Sequence, residues 1–328
     1  MRRGYQLIAA NRLYDWQTRP GVYSHTFRDG SLPAGADTEL RTDNARLLEL
    51  RGRYSDFGDS VTRPLVWTEG LLRPEDLKFF RGDNAYVWQV RGRDMNPLSY
   101  ALTTYYLRSI DRLHLFDCLT EDEYFGIFTF DVGGRLVSRD LLDSISELNF
   151  LDRELAIGGR RGVNILDIGA GYGRLAHRAA QGLPDLGTYF CTDAVAASTF
   201  LAEYYLRFRG VQSRTRVVPL DEIEQRLATT KIDIAVNIHS FSECQASSVD
   251  WWVALLARYY VPHLLIVPNV VKSAEQLINH AGEDFGAVIA RHGYRLRKMA
   301  PKYADPTVQQ YGVAPTYYHL FELAPRSS

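Results

Sequence analysis

The sequence predicts an α/β fold in which a seven-stranded, mainly parallel sheet follows a mainly helical first half. After Gly158, short β-branched runs alternate with helical patterns, which is typical of βαβ units and a parallel sheet. Before that residue, apolar side chains recur at helical spacing instead. The chain has 328 residues, more than one typical domain of roughly 100–200 residues, so we expect more than one unit.

The first half is predicted to contain an irregular segment and a helical domain. Residues 1–60 are turn-rich apart from DNARLLELRGRYSDF (43–57), and we expect them to form an arm or irregular segment. NPLSYALTTYYLRSIDRLHLF (96–116) and SRDLLDSISELNFLDREL (138–155) place apolar residues at helical spacing, and the second begins with a serine suited to an N-cap. We therefore predict a mainly helical lid or substrate domain over 61–157.

Seven short runs rich in β-branched and aromatic residues predict the strands of a second domain, 158–328. The runs are Val163–Ile168, Thr188–Thr192, Thr215–Leu220, Ile232–Ile238, Leu264–Val267, Tyr294–Lys298 and Tyr317–Leu323. No obvious helix separates the last two runs, so we predict that they form an antiparallel pair.

Composition argues against several classes of protein. The formal net charge is −1, which favours neither nucleic acid nor an anionic membrane as a partner. Three widely spaced cysteines do not indicate a disulfide framework or a structural zinc site. The most apolar stretch, WWVALLARYYVPHLLIVPNVV (251–271), is interrupted by a charged residue, Arg258, and by two prolines, so we do not predict that it spans a membrane. We expect a reduced, cytoplasmic protein, and its association as a homodimer is left open.

The stretch VNILDIGAGYGRLAHR (163–178) is the most informative about function. Three alternating glycines follow its apolar run: Gly169, Gly171 and Gly173. A phosphate-binding P-loop needs Lys and Ser or Thr after its last glycine, and both are missing. A dinucleotide fingerprint needs Gly or Ala where Arg174 stands. Asp167 would repel a phosphate but suits a ligand with a cationic centre, such as S-adenosylmethionine, and glycines let such a ligand lie against the backbone.

A second acid follows the next predicted strand. Asp193 lies 20 residues after Gly173, where an acid commonly accepts hydrogen bonds from ribose hydroxyls. Asp221 comes just after the third strand and is predicted either to accept from an adenine amino group or to cap the following helix. Ala194 and Leu220 are expected to flank the adenine ring. A tight structural turn without a ligand is the competing interpretation of this region.

Polar residues cluster where the fourth strand ends, in KIDIAVNIHSFSEC (231–244). Ligands of open α/β sheets bind beyond the carboxyl ends of the strands. Asn237 is predicted on the cofactor side and Ser240 on the substrate side. If the ligand is a methyl donor such as S-adenosylmethionine, a hydroxyl that accepts the methyl group must lose its proton; His239 is then the candidate base, with Glu243 orienting it or acting in its place. The alternative is a polar cluster that caps the next helix.

Two further residues are candidates for substrate binding. Arg139 could reach a carboxylate of the cofactor or an acidic group of the substrate, with a surface role as the alternative. Asn269 follows the fifth strand. No adjacent Asp-Asp pair follows a strand, so we predict no metal site, and the lack of an N-P-P-Y motif argues against a nucleic-acid substrate. Aromatic residues of the first half are expected in the core or stacked on the acceptor: Tyr86, Trp88, Tyr105, Tyr106, Tyr124 and Phe125.

These motifs resemble the class I S-adenosylmethionine-dependent methyltransferases and, more narrowly, sugar O-methyltransferases of natural-product and surface-glycan pathways. The resemblance covers roughly residues 85–323. It rests on EDEYFG (121–126), VSRDLLDSISELNFL (137–151), ILDIGAGYGRLAHR (165–178), NIHSFSE (237–243) and YYHLFEL (317–323).

The resemblance implies a Rossmann-like seven-stranded methyltransferase sheet with a mainly helical N-terminal domain. It places S-adenosylmethionine at Asp167, Gly169, Gly171, Gly173 and Asp193, with Ala170 in the same turn. It implies methyl transfer to a hydroxyl of a small molecule, a nucleotide sugar or glycosylated natural product, bound beside 237–243. A methyltransferase of a non-sugar metabolite, an NAD-type oxidoreductase on the same fold and a non-catalytic scaffold remain as alternatives.

Overall fold

The computed structural model describes residues 32–55, 57, 61, 65–67, 71–82, 86, 96–269, 274 and 276–325. Its centre is a seven-stranded sheet. The strands are β1 Val163–Ile168, β2 Leu186–Thr192, β3 Thr215–Val217, β4 Ile234–Ile238, β5 His263–Val267, β6 Tyr294–Pro301 and β7 Tyr317–Leu323. They lie in the order β3-β2-β1-β4-β5-β7-β6, with β1 to β5 parallel and β7 antiparallel to both neighbours. The predicted Rossmann-like seven-stranded sheet and its closing antiparallel pair are confirmed.

The helices surround this sheet. They are α1 Ala45–Ser55, α2 Pro97–Ile110, α3 Arg139–Leu155, α4 Arg174–Gly182, α5 Ala196–Phe208, α6 Ile223–Thr229, α7 Ala246–Arg258, α8 Gly286–Arg291 and α9 Pro306–Tyr311. Shorter elements complete the described structure. They are the helices Ala36–Glu39 and Leu115–Cys118, several 3₁₀ segments, and an antiparallel two-stranded ribbon in which Phe130–Asp131 pairs with Leu136–Val137. Within the described residues, no helix is long and apolar enough to cross a membrane.

Capping residues explain where several helices begin. The Oγ of Ser138 accepts a hydrogen bond from the amide of Leu141, which confirms the predicted N-cap of α3. The expectation that no helix separates the last two strands was wrong, because α9 lies between them. Asp305 caps that helix through its carboxylate, and Pro306 supplies a preset φ at the first helical position.

The two halves of the described chain share one apolar core. Leu107 of α2 and Leu148 of α3 belong to the same buried cluster as Leu166 of β1. Helix α3 packs between α2 and α4, and its apolar side chains are therefore buried together with the acids Asp140, Asp143, Glu147 and Asp152. The predicted division at 157/158 falls in the short connection between α3 and β1, and residues 1–31 of the predicted arm lie outside the described residues. Whether the halves are separate domains stays a prediction.

Candidate cofactor and acceptor site

A cavity of about 650 Å³ opens at the carboxyl ends of β1, β2, β4 and β5. These strands are neighbours in the sheet, so the turns that follow them meet at one edge. This is the edge at which open α/β sheets bind ligands. The cavity brings together most of the predicted site residues: Arg139, Asp167, Gly169, Ala170, Gly171, Asp193, Ala194, His239, Ser240, Glu243 and Asn269.

The glycine turn after β1 packs closely against the turn after β4. Gly169 has a φ of +73°, and a β-carbon built on it would lie 2.0 Å from the Oγ of Ser240. Asn237 is fully buried behind this contact, and its Nδ2 donates to the carbonyl of Ile168 at 2.8 Å and to the Oγ of Ser240 at 2.6 Å. Asn237 thus holds the two turns together and is not among the residues that line the cavity, which corrects its predicted contact with the cofactor.

Asp193 connects the end of β2 to the glycine turn. Its Oδ2 accepts a hydrogen bond from the amide of Gly171 at 3.0 Å, and its Oδ1 accepts from the amide of Val195 at 2.8 Å. Burial raises the pKa of Asp193 to about 6. The two amide donors stabilise the ionised carboxylate and act in the opposite direction. Asp193 lines the cavity, and a carboxylate oxygen can accept more than one hydrogen bond, as the predicted contact with ribose hydroxyls requires.

Asp167 is a buried acid in the floor of the cavity. The hydroxyl of Tyr189 donates to its Oδ2 at 3.0 Å, and burial raises its pKa to about 7. A positively charged group beside this carboxyl would favour its ionised form. The nearby guanidinium of Arg174 contributes in that direction, although it forms a bidentate ion pair with Glu147 at 2.9 and 3.0 Å.

Arg139 also lies in the cavity wall. Its side chain is 15% exposed, which speaks against the surface role considered from the sequence. Its Nε donates to the Oδ2 of Asp143 at 3.2 Å, and the Nζ of Lys302 donates to the other carboxylate oxygen at 2.5 Å. The two cations lower the pKa of Asp143, so this buried acid is ionised.

His239 follows β4 in an unusual backbone conformation. Its φ is +71°, which is uncommon for a residue with a β-carbon, and its amide donates to the carbonyl of Val267. Burial, together with the positive charge of Arg139, lowers its pKa to about 3. The imidazole is therefore neutral near pH 7, but it holds an added proton weakly.

Glu243 has a different set of partners from the one predicted. Its Oε2 accepts a hydrogen bond from the indole Nε1 of Trp67 at 2.6 Å, and its Oε1 accepts from the Nδ2 of Asn269 at 2.6 Å. The prediction that Glu243 orients His239 was wrong, because both carboxylate oxygens are directed to Trp67 and Asn269. Burial raises the pKa of Glu243 to about 7.

Besides Asn237, three predicted cofactor residues lie outside the cavity wall. Asp221 forms a bidentate ion pair with Arg53 of α1, at 2.8 and 2.7 Å, so its side chain faces α1 rather than an adenine ring. Leu220 is fully buried, and its amide donates to the hydroxyl of Tyr54. Gly173 precedes α4 with a φ of +85°, and a β-carbon built on it would lie 3.2 Å from the Cγ of Leu206 in α5.

The structure adds cavity residues that the sequence did not identify. Trp67, Trp252 and His280 line the cavity, and no periodic or spacing signal distinguishes them in the sequence. Of the predicted stacking aromatics, Tyr86 lines the cavity and Trp88 lies outside the described residues. Phe125 is buried in the core and Tyr106 packs on Tyr303, whereas Tyr105 and Tyr124 are exposed. In the described part of the chain, His, Cys, Asp and Glu side chains form no group of three or more that could hold a metal ion.

No protein-family model matches this chain, and no curated protein matches it in sequence. Solved structures with a similar fold include the cyclase SpnF, at 14% identity and a TM-score of 0.42, covering 71% of this chain and 97% of that one. An S-adenosylmethionine-dependent methyltransferase from Clostridium acetobutylicum ATCC 824 has 11% identity and a TM-score of 0.42, covering 56% and 92%. Magnesium protoporphyrin IX methyltransferase ChlM from Synechocystis PCC 6803, with bound S-adenosylmethionine, has 12% identity and a TM-score of 0.41, covering 68% and 97%. The strand order given above defines the fold of this chain independently of these similarities.

Proposed function

We propose that this chain is an S-adenosylmethionine-dependent O-methyltransferase whose acceptor is a hydroxyl of a sugar, in a nucleotide sugar or a glycosylated natural product. One observation carries the proposal. A single cavity holds Asp167 and Asp193 around the glycine turn on the β1–β2 side, and the carboxyl of Glu243 on the β4–β5 side. Asp167 and Asp193 suit a cationic ligand with ribose hydroxyls, and the carboxyl of Glu243 suits removal of a proton from the substrate hydroxyl.

The residues present fit this cofactor. Asp193 offers acceptor oxygens for two hydroxyls, and Asp167 is a buried acid that a ligand ammonium group would stabilise in its ionised form. Tyr86 approaches the glycine turn, where its ring lies 3.7 Å from the position of a β-carbon on Gly171. When bound, S-adenosylmethionine supplies a methyl group on a positively charged sulfur.

Glu243 is the group we propose as the base. An aliphatic hydroxyl keeps its proton near pH 7, so a base must accept that proton as the new carbon–oxygen bond forms. The pKa of Glu243, about 7, is near the value at which a general base is most effective. His239, with a pKa of about 3, is a weak base. We propose instead that it forms a hydrogen bond with the substrate that receives the methyl group.

The acceptor side of the cavity supports a sugar. Trp67 and Trp252 contribute aromatic side chains to its lining, and Glu243 and Asn269 contribute polar groups, the combination typical of small-molecule sites. We propose a small-molecule acceptor methylated in the cytoplasm, with no nucleic-acid or membrane partner.

Calorimetry with S-adenosylmethionine, S-adenosylhomocysteine and NAD tests the cofactor. We expect binding of the first two, and binding of NAD alone would overturn the proposal in favour of an oxidoreductase. Mass spectrometry of reactions with matched glycosides and aglycones then tests the acceptor. Methylation confined to the aglycone would support the non-sugar alternative, and cofactor binding without transfer to any member of a broad panel would support a non-catalytic scaffold.

A further inference from the structure

A segment from the first half of the chain is attached to Glu243 at three points. The indole Nε1 of Trp67 donates to its Oε2 at 2.6 Å. The amides of Leu65 and Val66 donate to its carbonyl oxygen at 2.8 and 3.4 Å. Trp67 and Glu243 are 176 positions apart in the sequence, so this contact joins the two halves directly at the cavity.

The ring of Trp67 continues this contact toward the glycine turn. It packs on the ring of Tyr86, with 4.9 Å between the ring centroids and 52° between the planes. Tyr86 in turn meets Tyr172 edge to face at 6.2 Å and lies against Gly171. One indole therefore contacts the carboxyl group on the β4–β5 side and the aromatic wall on the β1–β2 side.

We propose that Trp67 is a positioning residue for Glu243, holding its carboxyl group toward the acceptor with the indole N–H and tying that position to the wall of the cofactor side through Tyr86. The inference rests on the proposed function and deepens it, because it names a residue that acts through the proposed base.

The hydrogen bond has a consequence for the ionisation of Glu243. A donor to a carboxylate favours the charged form, so the indole N–H and the amide of Asn269 both lower the pKa of Glu243, while burial and the charge of Asp193 raise it. Other charged or titratable groups that line the cavity include His239, His280, Arg139, Asp143, Tyr86 and the adjacent thiol of Cys244. Loss of the indole donor is therefore expected to raise the pKa of Glu243 by about one unit, the size of one charge-assisted hydrogen bond.

Trp67→Phe keeps an aromatic ring and removes the donor, and Trp67→His restores a ring N–H. Trp252→Phe is the matched control, since Trp252 lines the same cavity from α7 while the donors to the Glu243 carboxyl are Trp67 and Asn269. We expect the acidic limb of the kcat/KM profile to move up by about one pH unit in Trp67→Phe alone, with partial recovery in Trp67→His. The Kd for S-adenosylmethionine should change less than about threefold, because the ring stays in place.

A second measurement needs no acceptor. Glutamate labelled with ¹³C at Cδ reports the pKa of Glu243 by NMR, and Glu243→Gln identifies its resonance. In the unsubstituted protein the indole ¹⁵N–H resonance of Trp67 should shift with the same midpoint, which keeps the inference testable if Trp67→Phe does not fold. An unchanged Glu243 pKa in Trp67→Phe, an equal change in Trp252→Phe, or an indole resonance that does not titrate would each overturn it.

The two proposals can fail separately. A shift of the Glu243 pKa in a protein that does not bind S-adenosylmethionine would refute the methyltransferase proposal and leave the Trp67–Glu243 coupling in place. Methyl transfer with an unchanged pH profile in Trp67→Phe would refute the positioning role alone.

Discussion

The packing of the glycine turn against the turn after β4 is tested by Gly169→Ala. A β-carbon at this position would lie 2.0 Å from the Oγ and 2.4 Å from the Cβ of Ser240. The backbone φ of +73° adds a conformational cost, because residues with a β-carbon disfavour the left-handed region. Gly210 is a matched control, since its φ is +66° and nothing lies within 4 Å of a β-carbon built there.

The expected loss in free energy of unfolding follows from these two terms. The left-handed conformation costs about 1–2 kcal/mol, and this is the whole cost expected for Gly210→Ala. Overpacking against Ser240 adds about 1–3 kcal/mol, which gives about 2–5 kcal/mol for Gly169→Ala. Ser240→Gly removes both clashing atoms, so in that background Gly169→Ala should cost no more than Gly210→Ala, about 1–2 kcal/mol.

Urea unfolding of the four proteins measures these differences as a double-mutant cycle, with Gly210→Ala alongside. At about 2 °C per kcal/mol for a chain of this size, thermal scans should show a fall of about 4–10 °C for Gly169→Ala and about 2–4 °C for the control. Ser240→Gly alone also loses the 2.6 Å bond from Asn237, which the cycle subtracts. Equal losses for Gly169→Ala and Gly210→Ala, or no recovery with Ser240→Gly, would refute the argument that these turns pack against each other.

Three further predictions concern the cofactor side and the core. Asp193→Ala should weaken S-adenosylmethionine binding roughly 10–100-fold in calorimetry, since it removes a charged acceptor; unchanged affinity would exclude the ribose contact. For Asp167 the folded pKa of about 7 lies above the unfolded value near 3.9, so its stabilising contribution is present at low pH and is lost as pH rises through that window. Asp167→Asn should therefore flatten the fall in free energy of unfolding between about pH 4 and 7, and a slope equal to that of the unsubstituted protein would contradict the assignment. Arg81 is fully buried and donates to three acids at 2.7–3.0 Å, so Arg81→Met should cost about 3–5 kcal/mol in urea unfolding. Arg258, whose ion pair with Glu224 is exposed, provides the control, and Arg258→Met should lower the free energy of unfolding by only about 0–1 kcal/mol. Similar losses in both variants would argue against a buried network around Arg81.

Features set by neighbouring residues could be predicted from the sequence. The bounds of β1 and β7 agree with their predicted runs, because a short apolar or β-branched run between turn signals can be recognised locally. The N-cap of α3 is likewise a local arrangement, a serine side chain and an amide three residues later. The place of Asp193 beside the glycine turn could be predicted because the length of a βαβ unit is nearly fixed.

The tertiary structure alone decided which partner each polar side chain meets. Asp221 pairs with Arg53, 168 positions away, rather than facing the cavity, and Glu243 meets Trp67 rather than its near neighbour His239. Asn237 lies behind the glycine turn, although its position near the carboxyl end of β4 suited a ligand contact equally well. A hydrogen bond has a range of about 3 Å, so its partner depends on how distant elements pack, and neither spacing nor propensity along the chain carries that information.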